Sequence, residues 1–199
     1  MQKIDLLLGT NNSHKVVEFT RLLESTPFSL VKPSDLRLEL EVTESGLSYV
    51  ENATLKAESF SKISGLPAIA DDSGIEVFAL DSKPGIYSAR YGGPGLSDVD
   101  RMELLLENMA LVSAGERGCR YVAAIAVCWA NGKTETFEAV CNGELSRVPV
   151  GHNGFGYDPI FIPEGNGKTM AQLSNNEKDA ISHRGKAIKH FLKQSRRSL

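Results

Sequence analysis

Apolar runs alternate with amphipathic stretches along this chain. Ile4 to Leu8 is a short apolar run and predicts a central strand. After a polar stretch from Gly9 to Lys15, Val16, Val17, Phe19, Leu22 and Leu23 recur at helical spacing. Phe28 to Val31 predicts a second strand, ended by Pro33. Tyr49 to Ile63 predicts a helix with Val50, Ala53, Ala57 and Phe60 as its apolar stripe, stopped by Gly65 and Pro67. Asp98 to Asn108 predicts another, with Met102, Leu105 and Leu106 inward. Arg120 to Trp129 is the strongest strand signal, apolar throughout from Val122 to Val127. Asn131-Gly132 is a hairpin turn signal, and Thr134 to Cys141 reads as the returning strand. Asn142-Gly143 and then Leu145 to Val150 suggest a further edge strand, and Ile160 to Ile162 a later one. Asn175 to Ala180 predicts a short helix. Ser182 then caps a last helix carrying Ala187, Ile188, Phe191 and Leu192. The basic end, Lys193 to Arg197, reads as frayed and solvated. The pattern is antiparallel in the middle, α/β at both ends, and free of repeats.

One stretch breaks the pattern. Ala70-Asp71-Asp72-Ser73-Gly74 lies between two apolar segments, Pro67 to Ile69 and Ile75 to Leu80, both of which read as buried sheet. Two adjacent carboxylates are therefore expected where a strand ends or turns. Charge beside a core is costly unless it is paired or holds a metal. An acidic surface turn is the plain alternative.

Composition narrows the classes. A chain of 199 residues, 41% hydrophobic, favours one large domain or two closely joined lobes. A net charge of -3 argues against general nucleic-acid binding, which needs broad positive charge, but permits a small anion held by local cations. Cys119, Cys128 and Cys141 form no metal-binding spacing and read as buried thiols in a reducing compartment. With no signal-like or membrane-length segment, a soluble cytoplasmic protein with no membrane partner is expected.

Other candidate chemistry is scattered. Thr10-Asn11-Asn12-Ser13-His14-Lys15 occupies a strand-to-helix turn, where backbone N–H groups and Lys15 attract anions. A helix cap with a surface lysine is the alternative there. The acidic stretch Asp35 to Gly46 holds Glu39, Glu41 and Glu44, one of which can reach a metal. Asn52 and Lys56 share a helix face that leads toward the two aspartates, although Lys56 can equally be a surface residue. Ile86 to Tyr91, with two tyrosines and Arg90, suits a loop near the site, a partner surface or packing. Glycines flank Phe155 in Gly151 to Pro159, so the ring can be offered to a flat ligand with Asp158 reading its polar edge. A tight turn with a core aromatic is the alternative. His183 and Arg184 sit in a first helical turn, where cations oppose the helix dipole unless an anion is near. Lys15, Lys56, Lys178 and Arg184 with Asp71, Asp72 and a glutamate match the needs of a polyphosphate with a divalent cation.

Six stretches in this order carry a resemblance. They are Thr10 to Lys15, Glu51-Asn52-Ala53 with Lys56-Ala57, Ala70 to Gly74, Pro84 to Tyr91, Gly154 to Phe161 and Ser182 to Ala187. Together they resemble the pyrophosphatases of non-canonical purine nucleoside triphosphates, the dITP/XTP or inosine triphosphate pyrophosphatase family. Asn11 departs from the glycine common there, and asparagine tolerates left-handed backbone angles.

The resemblance implies an α/β fold: an elongated mixed sheet with two lobes flanked by helices and a central substrate cleft, the ITPase-like Maf–Ham1 type, as one domain over residues 1–199. It implies hydrolysis of ITP, dITP and XTP to monophosphate and pyrophosphate with Mg2+, usually by a homodimer. It assigns the phosphates to Thr10, Asn11, Asn12, Ser13, His14 and Lys15, helped by Lys56. Asp72 becomes the general base and metal-linked carboxylate, and Ser73 a substrate contact. Phe155, Gly156, Tyr157 and Asp158 frame the base, completed by Lys178, His183 and Arg184. Asp71 and Glu44 join Asp72 as metal residues, with Glu41 the alternative to Glu44. A related enzyme of different base preference, Maf-like, and a nucleotide-binding protein without turnover are the competing readings.

Overall fold

The computed structural model describes residues 3–195. Of the basic end expected to fray, Arg196 and Arg197 lie outside these residues. The strands are β1 (Ile4–Leu8), β2 (Phe28–Val31), β3 (Ala68–Val77), β4 (Lys83–Pro84), β5 (Gly118–Cys128), β6 (Thr134–Leu145) and β7 (Phe161–Pro163). The helices are α1 (Ser13–Leu23), α2 (Tyr49–Ser64), α3 (Asp98–Asn108), α4 (Asn175–Ile181) and α5 (His183–Ser195). The sheet runs β2-β1-β3-β5-β6-β7, with β4 paired to β3. It is mixed: β1 is parallel to β2 and β3, whereas β3–β4 and β6–β7 are antiparallel.

The chain divides into two compact units. The first comprises the residues up to Asp72, Ala123–Ala139 and those from Ala187 on. Its sheet is covered on both faces, and β1 shows how. Side chains alternate along a strand, so Leu6 and Leu8 join one apolar cluster while Leu7 joins another. The Leu6–Leu8 side takes Phe19 and Leu23 from α1 and Ala187, Ile188 and Phe191 from α5. The Leu7 side takes Phe60 from α2 together with Ala68. Val17, placed on the α1 stripe by periodicity, is 60% exposed, because the buried side of α1 is centred on Phe19 and Leu23.

The second unit comprises Ser73–Val122 and Val140–Lys186. Its core gathers Ile75 and Val77 from β3, Met102 and Leu105 from α3, and Cys119, Tyr121, Cys141, Leu145, Tyr157, Ile160 and Phe161. Arg117, in the link before β5, is buried and donates to the carbonyls of Met109, Leu145 and Ser146. All three cysteines are buried and free.

Two expectations fail here. The aspartates do not end a strand, for β3 continues through Asp71, Asp72, Ser73 and Gly74 to Val77. No edge strand covers Leu145 to Val150 either. Instead β6 runs straight through Asn142-Gly143 and pairs there with β7, Gly143 opposite Pro163. A Cβ at Gly143 would collide with the Ile162 carbonyl, so glycine serves close strand approach rather than a turn.

Candidate functional site

The alternation that covers both faces of β1 also separates the two aspartates. Asp71 follows Ile69 by two residues and shares its face, the one covered by α1 and α5. Asp72 shares the face of Ala68, covered by α2. Each helix sends a lysine to its own aspartate. Lys15 stands four residues before Phe19, and its Nζ lies 3.1 Å from Asp71 Oδ1. Lys56 stands four residues before Phe60, and its Nζ lies 2.9 Å from Asp72 Oδ1. Residues four apart share a helix face, so a buried phenylalanine directs each lysine inward. The pairing permits two carboxylates, 0% and 5% exposed, inside a strand.

Asn52 extends the α2 face one turn further and is fully buried. Its Nδ2 donates to Asp72 Oδ2 at 3.4 Å, and its Oδ1 accepts from the Gly46 amide at 2.9 Å. Glu51 accepts from the Leu47 amide at 2.6 Å. The first turn of α2 thus anchors the end of the acidic loop. That anchoring brings Glu44 Oε1 to 2.8 Å from Lys56 Nζ, while Glu41 is exposed. Of the two candidates, Glu44 is the one at the cluster.

The Lys56 ammonium therefore bridges Glu44 and Asp72. Burial opposes its charge, but Asp72, Asp71 and Glu44 outweigh burial and raise its pKa above the ordinary lysine value. Asp72 is also raised, by burial first and by Glu44, against the pull of Lys56 and Lys15. On the α2 side of β3 the Lys56 ammonium meets two carboxylates, Glu44 and Asp72. Among the described residues no group of three or more His, Cys, Asp or Glu is disposed to hold a metal. Glu44 and Asp72 nevertheless both approach a single nitrogen, and Mg2+ commonly takes one or two carboxylates beside substrate phosphates. The donor set fits.

In the preceding loop, Asn12 caps α1. Its side chain accepts from the amides of His14 and Lys15 at 3.0 and 3.2 Å. An anion here would share those amides with Asn12. The Asn12 amide donates to Thr10 Oγ1, Ser13 opens the helix, and His14 is exposed. Asn11 is not among the positive-φ residues, so its left-handed tolerance is not used. It donates instead to the Leu40 carbonyl at 3.0 Å and ties the loop between β1 and α1 to the acidic one.

The second unit holds a different cluster. Gly154 adopts φ +76°, and a Cβ there would run into the Asp158 carboxylate. The turn folds back so that Asp158 Oδ2 accepts from the Phe155 amide at 3.0 Å. Lys178, buried on α4, meets the same oxygen at 2.5 Å. Phe155 is half-buried, with Lys178 Nζ 5.1 Å and Arg184 Cζ 5.7 Å from its ring centre. Arg184, 2% exposed, donates to Ser73 Oγ at 2.8 Å. Ser182 caps α5 by accepting from the Gly185 amide at 3.0 Å. His183 stacks on Tyr121, ring centres 4.6 Å apart.

Tyr157 stands apart from this group. Its ring belongs to the core and its hydroxyl donates to the Ser88 carbonyl at 2.9 Å, so its side chain is committed to packing. Sequence reasoning passed over Tyr121 and gave Asn52 no role. Helical spacing already put Asn52 on the Lys56 face, and the structure adds its contact with Asp72. A tyrosine inside an apolar strand, whose hydroxyl needs a partner, could have flagged Tyr121.

Comparison with known proteins agrees in extent and in fold. Residues 6–194 match the Ham1 family. The chain is 43% identical over 185 residues to a dITP/XTP pyrophosphatase of Staphylococcus epidermidis, covering 92% of each. It is 42% identical over 193 residues to one of Thermus thermophilus, covering 96% of this chain and 92% of the relative. The Ham1 protein structure from Staphylococcus aureus superimposes with TM-score 0.86 at 37% identity, over 98% of this chain and all of that one. A HAM1 protein from Coxiella burnetii gives 0.87 at 35% identity, covering 98% of this chain and 99% of that one. The mixed sheet with flanking helices is thus the architecture of these relatives, and the chain belongs to the Ham1 family.

Proposed function

We propose that the chain is a nucleoside triphosphate pyrophosphatase that hydrolyses non-canonical purine nucleotides, ITP, dITP and XTP, to the monophosphate and pyrophosphate with Mg2+. The observation that carries this reading is the pair of adjacent aspartates, each met by its own helix lysine, with Glu44 drawn to the second. Its support from relatives is 40–43% identity to dITP/XTP pyrophosphatases over nearly the whole chain.

Lys15 and Lys56 offset phosphate charge, and Thr10, Asn11, Asn12, Ser13 and His14 supply polar atoms from the same loop. Glu44 and Asp72 would hold the cation, which when bound would supply Lewis-acid polarisation of phosphate oxygens, while Asp71, on the other face of β3, adds negative charge at a distance. Lys56, raised by its carboxylates, stays an ammonium at neutral pH. Asp72, raised by burial, is better matched to accept the proton of an attacking water than an exposed aspartate is. The water oxygen bonds the α-phosphorus, the bond to the bridging oxygen breaks, and pyrophosphate leaves with that electron pair. Phe155 stacks on the base, and Asp158, Lys178, His183 and Arg184 present polar groups around it. A buried donor left unpaired by the wrong base is a strong source of discrimination.

The test is pyrophosphate release from ITP, dITP, XTP, ATP, GTP and a pyrimidine triphosphate under identical conditions, with and without chelator. Selective release from the first three, lost on chelation and restored by Mg2+, is expected. Preference for a pyrimidine favours the Maf-like reading, and saturable binding without release favours the binding protein. A homodimer belongs to the same proposal, and sedimentation equilibrium over a dilution series is expected to give twice the chain mass.

A further inference from the structure

Tyr121 has no part in the reaction just described, yet it touches two side chains assigned to the base. It lies on β5, buried, with Phe161 packed against one part of its ring at 4.5 Å between centres. His183 stacks on it nearly parallel, at 4.6 Å and 10°. Its hydroxyl donates to Asp158 Oδ1 at 3.3 Å. The other carboxylate oxygen, Oδ2, already takes the Phe155 amide and Lys178. The Tyr121 hydroxyl adds a donor on the Oδ1 side, so the carboxylate is gripped at both oxygens and Oδ2 stays aimed at Phe155. We infer that Tyr121 is a positioning residue for base recognition, holding the Asp158 carboxylate by its hydroxyl and the His183 imidazole by its ring.

The inference rests on the assignment of this cluster to the base. Its chemistry is consistent internally. Burial, with the nearby Asp158 adding, raises the Tyr121 pKa well above its ordinary value, so the hydroxyl keeps its proton and remains a donor. The two contacts use different parts of the side chain, which makes them separable. Tyr121→Phe keeps the stacking on His183 and the packing on Phe161 but removes the donor.

The experiment compares wild type, Tyr121→Phe, Asp158→Asn and the double variant. Each is assayed for ITP and GTP turnover, for inhibition by IMP and by pyrophosphate, and for thermal melting on the same sample. Tyr121→Phe is expected to raise KM for ITP and Ki for IMP about tenfold, the scale of one hydrogen bond to a charged group. Inhibition by pyrophosphate, which has no base, should stay within about twofold, as should kcat. In the Asp158→Asn background the same change should add little, because residues acting through one contact are non-additive. A lowered melting temperature with unchanged KM and Ki, equal losses for IMP and pyrophosphate, or full additivity with Asp158→Asn would each overturn the positioning role. If Asp158→Asn itself leaves KM for ITP and Ki for IMP unchanged, the assignment of the cluster to the base is wrong and the inference falls with it. That result is distinct from Tyr121→Phe alone being silent. Should Tyr121→Phe not fold, the role is purely structural and the inference is refuted.

Discussion

Replacing Lys56 with methionine tests the charge balance of the first cluster. Methionine keeps most of the apolar stem beside Phe60 and removes the ammonium. Glu44 and Asp72 would then both lose the ammonium they share. The Lys56 and Asp72 side chains are 10% and 7% exposed, and Glu44 is 26% exposed. Removing one partner of a buried pair costs about 3–5 kcal/mol. Glu44 retains some water and Asp72 keeps the Asn52 amide, so the low end, about 3 kcal/mol, applies. For a chain of this size that lowers Tm by about 6–12 °C. Asp72→Asn in the same background should recover most of the loss, since it removes the charge left without its ammonium.

The pH dependence follows from the two shifts. Lys56 is raised above 10.5, so its contribution is present below that value and fades as pH climbs through the folded-state pKa. Asp72 is raised above 3.8, so the contribution of its protonated form is present below that value and is lost as pH rises through the folded-state pKa. The gap between wild type and Lys56→Met should therefore be widest near neutrality and close toward both extremes. Thermal melting from acid to alkaline pH, with and without Mg2+, measures it. Added Mg2+ should raise Tm more in Lys56→Met than in wild type, because a ligand stabilises the form that binds it better. An unchanged Tm at pH 7, or a loss that Asp72→Asn does not recover, would refute the view that Lys56 neutralises these carboxylates.

Three further outcomes are expected. Asp72→Asn should cut single-turnover hydrolysis of ITP by at least about a hundredfold while keeping the fold, and near wild-type turnover would shift the catalytic role to Asp71. Phe155→Ala should raise KM for ITP by the equivalent of about 1–3 kcal/mol of stacking with kcat little changed; loss of the circular dichroism signal instead would make the ring a core residue. Gly154→Ala has to carry a Cβ at φ +76° against the Asp158 carboxylate, so it should lower Tm and weaken IMP binding together, with a fully wild-type variant as the contrary result.

Much of the fold was legible because local signals agreed with the tertiary outcome. The helix over Asp98–Asn108 and the strand over Ile4–Leu8 fall where periodicity places them. Two of the misses share one cause, a local signal overridden by a distant partner. Asn-Gly at 142–143 is a turn signal, but β7 arrives alongside and keeps the strand extended. Asn11 could have supplied a left-handed turn, but the Leu40 carbonyl takes its amide instead. The cluster around Phe155 depends on Lys178, Tyr121 and Arg184, whose approach no spacing encodes.

The aspartate pair shows the same override and also how it could have been read. A run of two charges in an apolar segment looks like a strand end, because a half-buried strand has one wet face on which to put charge. This strand has no wet face at Asp71 and Asp72. Successive side chains point to opposite sides, so a helix must answer each one. The sequence contains both answers: Lys15 four residues before Phe19, and Lys56 four residues before Phe60. Each phenylalanine fixes the buried face of its helix, and the lysine one turn earlier lies on that face. What could not be read is that α1 and α2 lie on opposite sides of β3. That follows only once β1 is parallel to both β2 and β3, which gives each crossover its own helix. Local periodicity thus selects the cations, and the connectivity of the parallel strands decides which carboxylate each one meets.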